Sequence, residues 1–132
     1  MIALLTESQI GLTKALEDYL KVIYIIQVMK KKRVVRVRDI ALFMHVKMSS
    51  VTSALKKLSE LGLINYSKRN YIELTDKGKE LASQLYKKWE VIYLFLKDIL
   101  KVKEETARRD ACRIEHVISE ETYDAIRRIL IE

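Results

Sequence analysis

Cys112, Glu115 and His116 stand at positions i, i+3 and i+4 of one segment. On an α-helix that spacing gathers a thiol, a carboxylate and an imidazole on one face. Together the three groups make a donor set for a divalent transition metal. Each alone has a plainer reading: a cysteine in a helix is commonly a small buried hydrophobe, a glutamate a solvated charge, a histidine a surface or satisfied core residue. Two ligand types within one turn also coincide by accident, so spacing leaves both readings open. Cys112 is the one cysteine of the chain, which excludes an internal disulfide and fits a reducing cytosol.

The second chemistry-bearing set is basic. The 132 residues carry a formal charge of +7, and residues 30–79 hold thirteen Lys and Arg against four Asp and Glu, an excess of nine. Everything outside that stretch therefore sums to −2. A positive charge so confined marks a polyanion-binding element. The apolar runs at 22–26 and 91–96 fall far short of the roughly 20 residues needed to span a bilayer, and the N-terminus does not read as a secretory signal. The expected location is the cytoplasm, with no membrane partner.

Periodicity indicates which elements position these groups. Leu12, Leu16, Tyr19, Leu20, Ile23 and Ile26 predict an amphipathic helix over 12–29, with Thr13 as a candidate cap. A short β-branched stretch leads into a second helix at 38–44. Ser49 then reads as the N-cap of a third, in which Val51, Ala54, Leu55, Leu58 and Leu61 recur until Gly62. The period next shortens to two at 63–66 and 71–74, predicting a β-hairpin with Lys68 and Arg69 at its tip. Thr75 and Asp76 open a long helix to about residue 100, and two shorter helices follow at 104–117 and 119–131.

Helix, turn, helix and basic hairpin in this order is the winged helix-turn-helix pattern, in which the second helix of the pair enters the DNA major groove. The predicted fold is mainly α: a winged helix-turn-helix DNA-binding domain over residues 1–75, then a helical dimerisation and metal-binding domain over 76–132. Ser49, Ser50, Thr52 and Ser53 place small hydroxyls where base edges or phosphates would lie. Lys56, Lys68, Arg69, Arg36 and Arg38 suit phosphate neutralisation. The plainer alternative, a serine cap and lysines that merely solvate a helix, does not account for the clustering of charge. The apolar residues Trp89, Ile92, Tyr93, Leu96, Ile126 and Leu130 exceed what so small a bundle can bury, which predicts a homodimer.

The order of motifs resembles the diphtheria toxin repressor family of iron- and manganese-dependent transcriptional regulators. The resemblance runs through residues 16–24 (LEDYLKVIY), 37–41 (VRDIA), 49–52 (SSVT), 61–64 (LGLI), 74–78 (LTDKG) and 111–117 (ACRIEHV), the last being the most specific. It implies that Cys112, Glu115 and His116, completed by Asp18, hold one divalent transition metal per chain, Fe(II) or Mn(II). It implies also that the metal raises affinity for double-stranded DNA and that there is no small-molecule substrate.

Against the family pattern this chain is a hybrid. Manganese-type members pair an aspartate at position 18 with a glutamate at 112, iron-type members a methionine with a cysteine, and here Asp18 meets Cys112. Trp89, Tyr93 and Arg108 occupy positions where the family has ligands of a second metal site, so that site is expected to be absent. An SH3-like third domain found in some members is not expected either. Lys21 stands where manganese-type members use a glutamate.

That lysine motivates an alternative, a regulator of the same fold without metal control, in which its ammonium pairs with Asp18 or Glu115 in place of the ion. Two other classes fit less well. A metal-dependent hydrolase would need a Gly-rich phosphate loop or an acid/base pair beside the cluster. A membrane-surface protein would carry its charge on one amphipathic helix. The expected protein is not an enzyme.

Overall fold

The computed structural model describes residues 12–32, 34–67 and 71–131. The elements are α1 (Lys14–Tyr24), β1 (Val35–Arg36), α2 (Val37–Met44), α3 (Met48–Glu60), β2 (Ile64–Tyr66), β3 (Tyr71–Leu74), α4 (Asp76–Leu94), α5 (Glu104–Val117) and α6 (Glu120–Ile131). This is the mainly helical, winged helix-turn-helix architecture with a helical C-terminal part that the periodicity predicts. The backbone gathers into two units divided within α4, between Ser83 and Gln84.

In the N-terminal unit, Thr13 caps α1 by accepting the Leu16 amide at 3.2 Å. Helix α1 packs on α2 and α3, and α3 on α2 and β2. Leu20, Ile23, Ile40, Val51, Leu55, Leu58, Ile64 and Ile72 form the core and are all but sealed from solvent. Each such aliphatic side chain contributes about 2 kcal/mol. The periods of 3.6 and 2 seen in the sequence are thus the periods of one shared interior.

Three details differ from the expectation. The apolar stripe that predicts one helix over 12–29 covers α1 and a π-helical turn, Ile25–Met29, in which the Lys30 amide reaches Ile25 O at 2.8 Å. The π turn stands at the C-terminal end of the stripe and buries only Ile26 of its five residues, so the periodicity does not register it. An equivalent turn, Phe95–Ile99, follows α4, and each is closed by a lysine at positive φ, Lys31 at 56° and Lys101 at 60°. Helix α3 starts two residues early: Lys47 is its N-cap, and its carbonyl takes the amides of Ser50 and Val51 (3.0 and 3.3 Å). Ser49 is therefore inside the first turn, exposed, and not the cap. The wing is a three-stranded antiparallel sheet, ordered β1-β3-β2, with Val35 opposite Ile72 and Ile64 opposite Leu74. Two residues of strand are too few for alternation to reveal.

Asp39 fixes the entry to α2. Its Oδ2 accepts the Arg36 amide and its Oδ1 the Lys32 ammonium, both at 2.9 Å. Burial pushes the carboxyl up, but the bonds from Lys32 and Arg36 and the charges of Lys32 and Arg38 outweigh it and hold Asp39 below its ordinary value of 3.8. A depressed carboxylate stabilises the fold above its unfolded pKa, and that stabilisation disappears as pH falls through the folded value. Asp39→Asn is expected to cost about 1 kcal/mol at neutral pH, the usual worth of such a cap. In urea melts at a series of pH values, its difference from wild type should shrink below pH 3.8. A difference that persisted undiminished in acid would contradict the ionic origin.

In the C-terminal unit, Ala107, Ala111 and Glu115 recur every four residues along the buried face of α5. Two alanines allow close packing; the third position of the same stripe is a carboxylate. Among the described residues of α6 none is buried, and Ile129 and Ile131 are exposed. No helix among the described residues is long and apolar enough to cross a membrane.

Candidate metal centre and nucleic-acid interface

Helix α3 presents Ser49, Ser50, Thr52, Ser53, Lys56 and Lys57 to solvent while Val51, Ala54, Leu55 and Leu58 face the core. Ser49, Thr52, Ser53 and Lys56 line an open groove of about 740 Å³ together with Ser59, Glu60 and Tyr66. The sequence reading missed those last three. Tyr66 stands two residues after the buried Ile64 on the same face of β2, and alternation therefore assigns it to the core side and gives no signal for the groove. Thr52 donates its hydroxyl to the Met48 carbonyl at 2.9 Å, so its proton is spent within the helix and only its lone pairs face outward. That bond sets Thr52 apart from the serines beside it.

Arg36 and Arg38 are exposed, and the Arg36 guanidinium lies 5.3 Å above the Tyr71 ring, which holds it at the base of the wing. Ser67 and Tyr71 close the described part of the hairpin, the Ser67 amide donating to Tyr71 O at 3.0 Å. Lys68 and Arg69, expected at the wing tip, lie outside the described residues.

Asp18 is on α1, and its Oδ1 is 3.7 Å from the Nζ of Lys21, one turn on. Lys21 is 4% exposed, so its ammonium is buried beside that carboxylate. The contact is loose compared with the 2.7–2.9 Å of a charge-assisted hydrogen bond. On α5, Cys112 and Glu115 bring a sulfur and a carboxylate oxygen within 4.8 Å of each other. Glu115 is 4% exposed, and His116 Nε2 stands 3.9 Å from Glu115 Oε1. Helical spacing thus brings the donor atoms of Cys112 and Glu115 together, whereas His116 stands beside Glu115 but outside the set of donor atoms that all lie within 4.8 Å of one another; the burial of Glu115 is tertiary information that spacing lacks. A thiol and a buried carboxylate with an adjoining imidazole form a chemically coherent donor set for a borderline divalent ion.

Trp89 and Tyr93 on α4 stack face to face, 5.0 Å between centroids and 5° between planes. The Trp89 indole donates to the Arg108 carbonyl at 3.2 Å, and the Tyr93 hydroxyl bonds to Glu104 Oε1 at 3.1 Å. An aromatic stack and hydrogen bonds to α5 thus occupy the positions expected to lack a second metal site.

The model of the N-terminal DNA-binding domain of iron dependent repressors matches residues 11–71, and that of their metal-binding and dimerisation domain matches residues 75–131. The two together account for nearly the whole chain. It belongs to the iron-dependent repressor family. This is the diphtheria toxin repressor family of the sequence reading, a family of DNA-binding transcriptional regulators and not of enzymes.

The chain is 34% identical over 116 residues to an uncharacterised HTH-type transcriptional regulator of Methanocaldococcus jannaschii, covering 88% of this chain and 92% of that one. It is 36% identical over 114 residues to the HTH-type transcriptional regulator MntR of Bacillus subtilis, covering 86% and 78%. Among solved structures it is similar to the manganese regulator SloR, with a TM-score of 0.74, 31% identity and 87% of this chain covered against 53% of that one. It is similar also to the IdeR protein of T. acidophilum, with a TM-score of 0.77, 25% identity, and 88% and 54% covered. The chain spans about half the length of these solved structures.

Proposed function

We propose that this chain is a cytoplasmic, homodimeric repressor that binds double-stranded DNA when one divalent transition metal, Fe(II) or Mn(II), is bound per chain. The observation that carries the reading is the meeting of Cys112 with the buried carboxylate of Glu115 on one face of α5, within the segment matched by the metal-binding domain. Asp18, Cys112, Glu115 and His116 are the ligands. The bound ion would bring positive charge to the half-buried Cys112 sulfur and the buried Glu115 carboxylate. Recognition helix α3 enters the major groove with Ser49, Ser50, Thr52, Ser53 and Lys56. Arg36, Arg38, Lys68 and Arg69 neutralise phosphates alongside it. The solvent-facing apolar residues of α6 support dimerisation through the C-terminal unit.

Ligands drawn from both ends of the chain let the ion restrict the DNA-binding part before DNA arrives, so that less ordering entropy is lost on binding. Coupling of this kind typically changes affinity 5- to 150-fold. The test uses a duplex enriched from random sequence in the presence of Mn(II), and compares affinity with excess Mn(II) or Fe(II) and with a chelator. A gain of about 100-fold with metal is expected. Asp18→Ala and Glu115→Gln should each abolish that gain while leaving salt-sensitive background binding. Zn(II) and Co(II) should bind more tightly than either physiological candidate by the usual affinity order, so preference in vitro does not identify the cellular metal. Equal affinities with and without metal, together with loss of DNA binding in Lys21→Ala, would overturn metal control in favour of the lysine as a permanent cation. Relatives named as metal-dependent regulators match most of the chain, and that likeness does not favour the lysine alternative.

A further inference from the structure

Residues 30–79 hold four acids among their thirteen bases, and three of the four lie on elements other than α3. Asp39 ties the entry of α2 to Lys32 and Arg36. Asp76 stands in the first turn of α4, where the helix dipole favours an acid. Glu73 stands opposite Asn65 in the register of β2 and β3, on the face of the strand turned away from Ile72 and Leu74. The fourth, Glu60, is the last residue of α3, exposed, and lines the same groove as Ser49, Ser53 and Lys56. Steps of four, three and four residues join Ser49, Ser53, Lys56 and Glu60, so they form one row along the outward face.

Nothing in the fold accounts for a carboxylate at that place. A helix C-terminus is the negative end of the dipole and disfavours an acid. Among the described residues no ion pair or hydrogen bond engages the Glu60 carboxylate, not even with Lys56 one turn back. Position along α3 decides what it can meet on DNA. At 1.5 Å per residue, Glu60 lies about 16 Å along the axis from Ser49. With the N-terminal residues of α3 at the base edges, as helix-turn-helix docking requires, Glu60 stands nearer the phosphates than the bases. The wing gives the same indication. Tyr66, at the end of β2, lines the groove with Glu60, and the chain leaves Tyr66 for the basic tip.

We propose that Glu60 is an electrostatic brake on DNA binding: its carboxylate faces the phosphate backbone in the groove between α3 and the wing and lowers affinity for every duplex without choosing among sequences. This rests on the reading that α3 lies on DNA. Metal coupling changes affinity by a limited factor, so the metal-free protein leaves DNA only where the basic surface binds weakly to begin with. Glu60 supplies that weakness and leaves the switch intact, because the same repulsion acts with metal and without it. A carboxylate within one Debye length of the backbone, about 8 Å at physiological salt, changes affinity about two- to threefold, or about fivefold for the two chains of a homodimer.

The experiment is fluorescence anisotropy of the intact chain on a random-sequence duplex and on a duplex enriched in the presence of Mn(II), across a salt series, with excess Mn(II) and with a chelator. Glu60→Gln should raise affinity about fivefold on both duplexes, with metal and without, so that the metal-induced gain stays that of wild type. Glu60→Lys should raise affinity further and steepen the slope of log K against log salt by about 0.9 for each chain bound. Both variants remove an acid from a helix C-terminus, so neither is expected to unfold α3. Glu105→Gln, exposed on α5, changes the net charge equally and is the control; a rise there equal to that of Glu60→Gln would overturn the proposal as an effect of net charge. A change confined to the enriched duplex would overturn it in favour of a carboxylate that reads a cytosine amino group. Wild-type affinity in both Glu60 variants would overturn it as well, and Lys56→Gln then separates the two failures. Loss of affinity in Lys56→Gln beside unaltered Glu60 variants rejects the brake alone, whereas an unaltered Lys56→Gln in the same series takes α3 off the DNA together with the brake.

Discussion

Gly78→Ala lowers the stability of the N-terminal unit by about 3 kcal/mol, although an alanine inside a helix is ordinarily worth about 1 kcal/mol more than glycine. The expected sign is reversed by a main-chain contact. A Cβ on Gly78 would lie 1.9 Å from the carbonyl oxygen of Leu63, and no side-chain rotation relieves a clash with backbone. That carbonyl also accepts the Thr75 amide at 3.1 Å. The Thr75 hydroxyl meanwhile donates to Gly62 O at 2.7 Å and accepts the Gly78 amide at 3.0 Å. Moving α4 away to admit a methyl group strains all three bonds at once. Gly62→Ala is the contrast. Nothing lies within 4 Å of its Cβ, but φ is +75°, so the cost is only about 1 kcal/mol. Urea denaturation of both variants checks the order, and a Gly78→Ala protein as stable as wild type would contradict the close approach.

Reversing Lys56 and Lys57 to glutamate lowers DNA affinity about 100-fold at physiological salt, on operator and random duplex alike. Both lysines are exposed on α3, on the two sides that flank its serines. Every phosphate left without its lysine takes about 0.9 off the slope of log K against log salt, so the slope should fall by about 2. Serine variants behave differently. Ser50→Ala or Ser53→Ala should change which sequence is preferred, by about 1–3 kcal/mol at the affected base pair, and leave the salt slope alone. Thr52→Val should have the smallest effect, because that hydroxyl already serves Met48 O. Fluorescence anisotropy across a salt series separates the two classes. An unchanged slope in the double lysine variant would place α3 away from the DNA.

Much of the architecture is legible in local pattern. Leu16, Leu20 and Ile23 repeat with the period of a helix, residues 63–66 and 71–74 with that of strands, and Gly62 marks the end of α3; side-chain direction follows backbone periodicity alone. The basic excess over 30–79 and the i, i+3, i+4 spacing of Cys112, Glu115 and His116 are likewise properties of the string of residues. Other features have no local signature. The start of α3 at Met48 depends on a carbonyl that two amides share, and β1 exists because two residues find β3 far along the chain. The π turns after α1 and α4 stand at helix ends and bury one residue and none, and so escape any reading by period. The motif at 74–78 shows a glycine but not its reason, which is a carbonyl contributed by residue 63. Sequence likewise places Glu115 on a helix face; only packing decides that this face is the buried one, beside Ala107 and Ala111. Burial, close approach and hydrogen bonds between distant residues are sums over many neighbours in space, and a one-dimensional pattern contains only the neighbours along the chain.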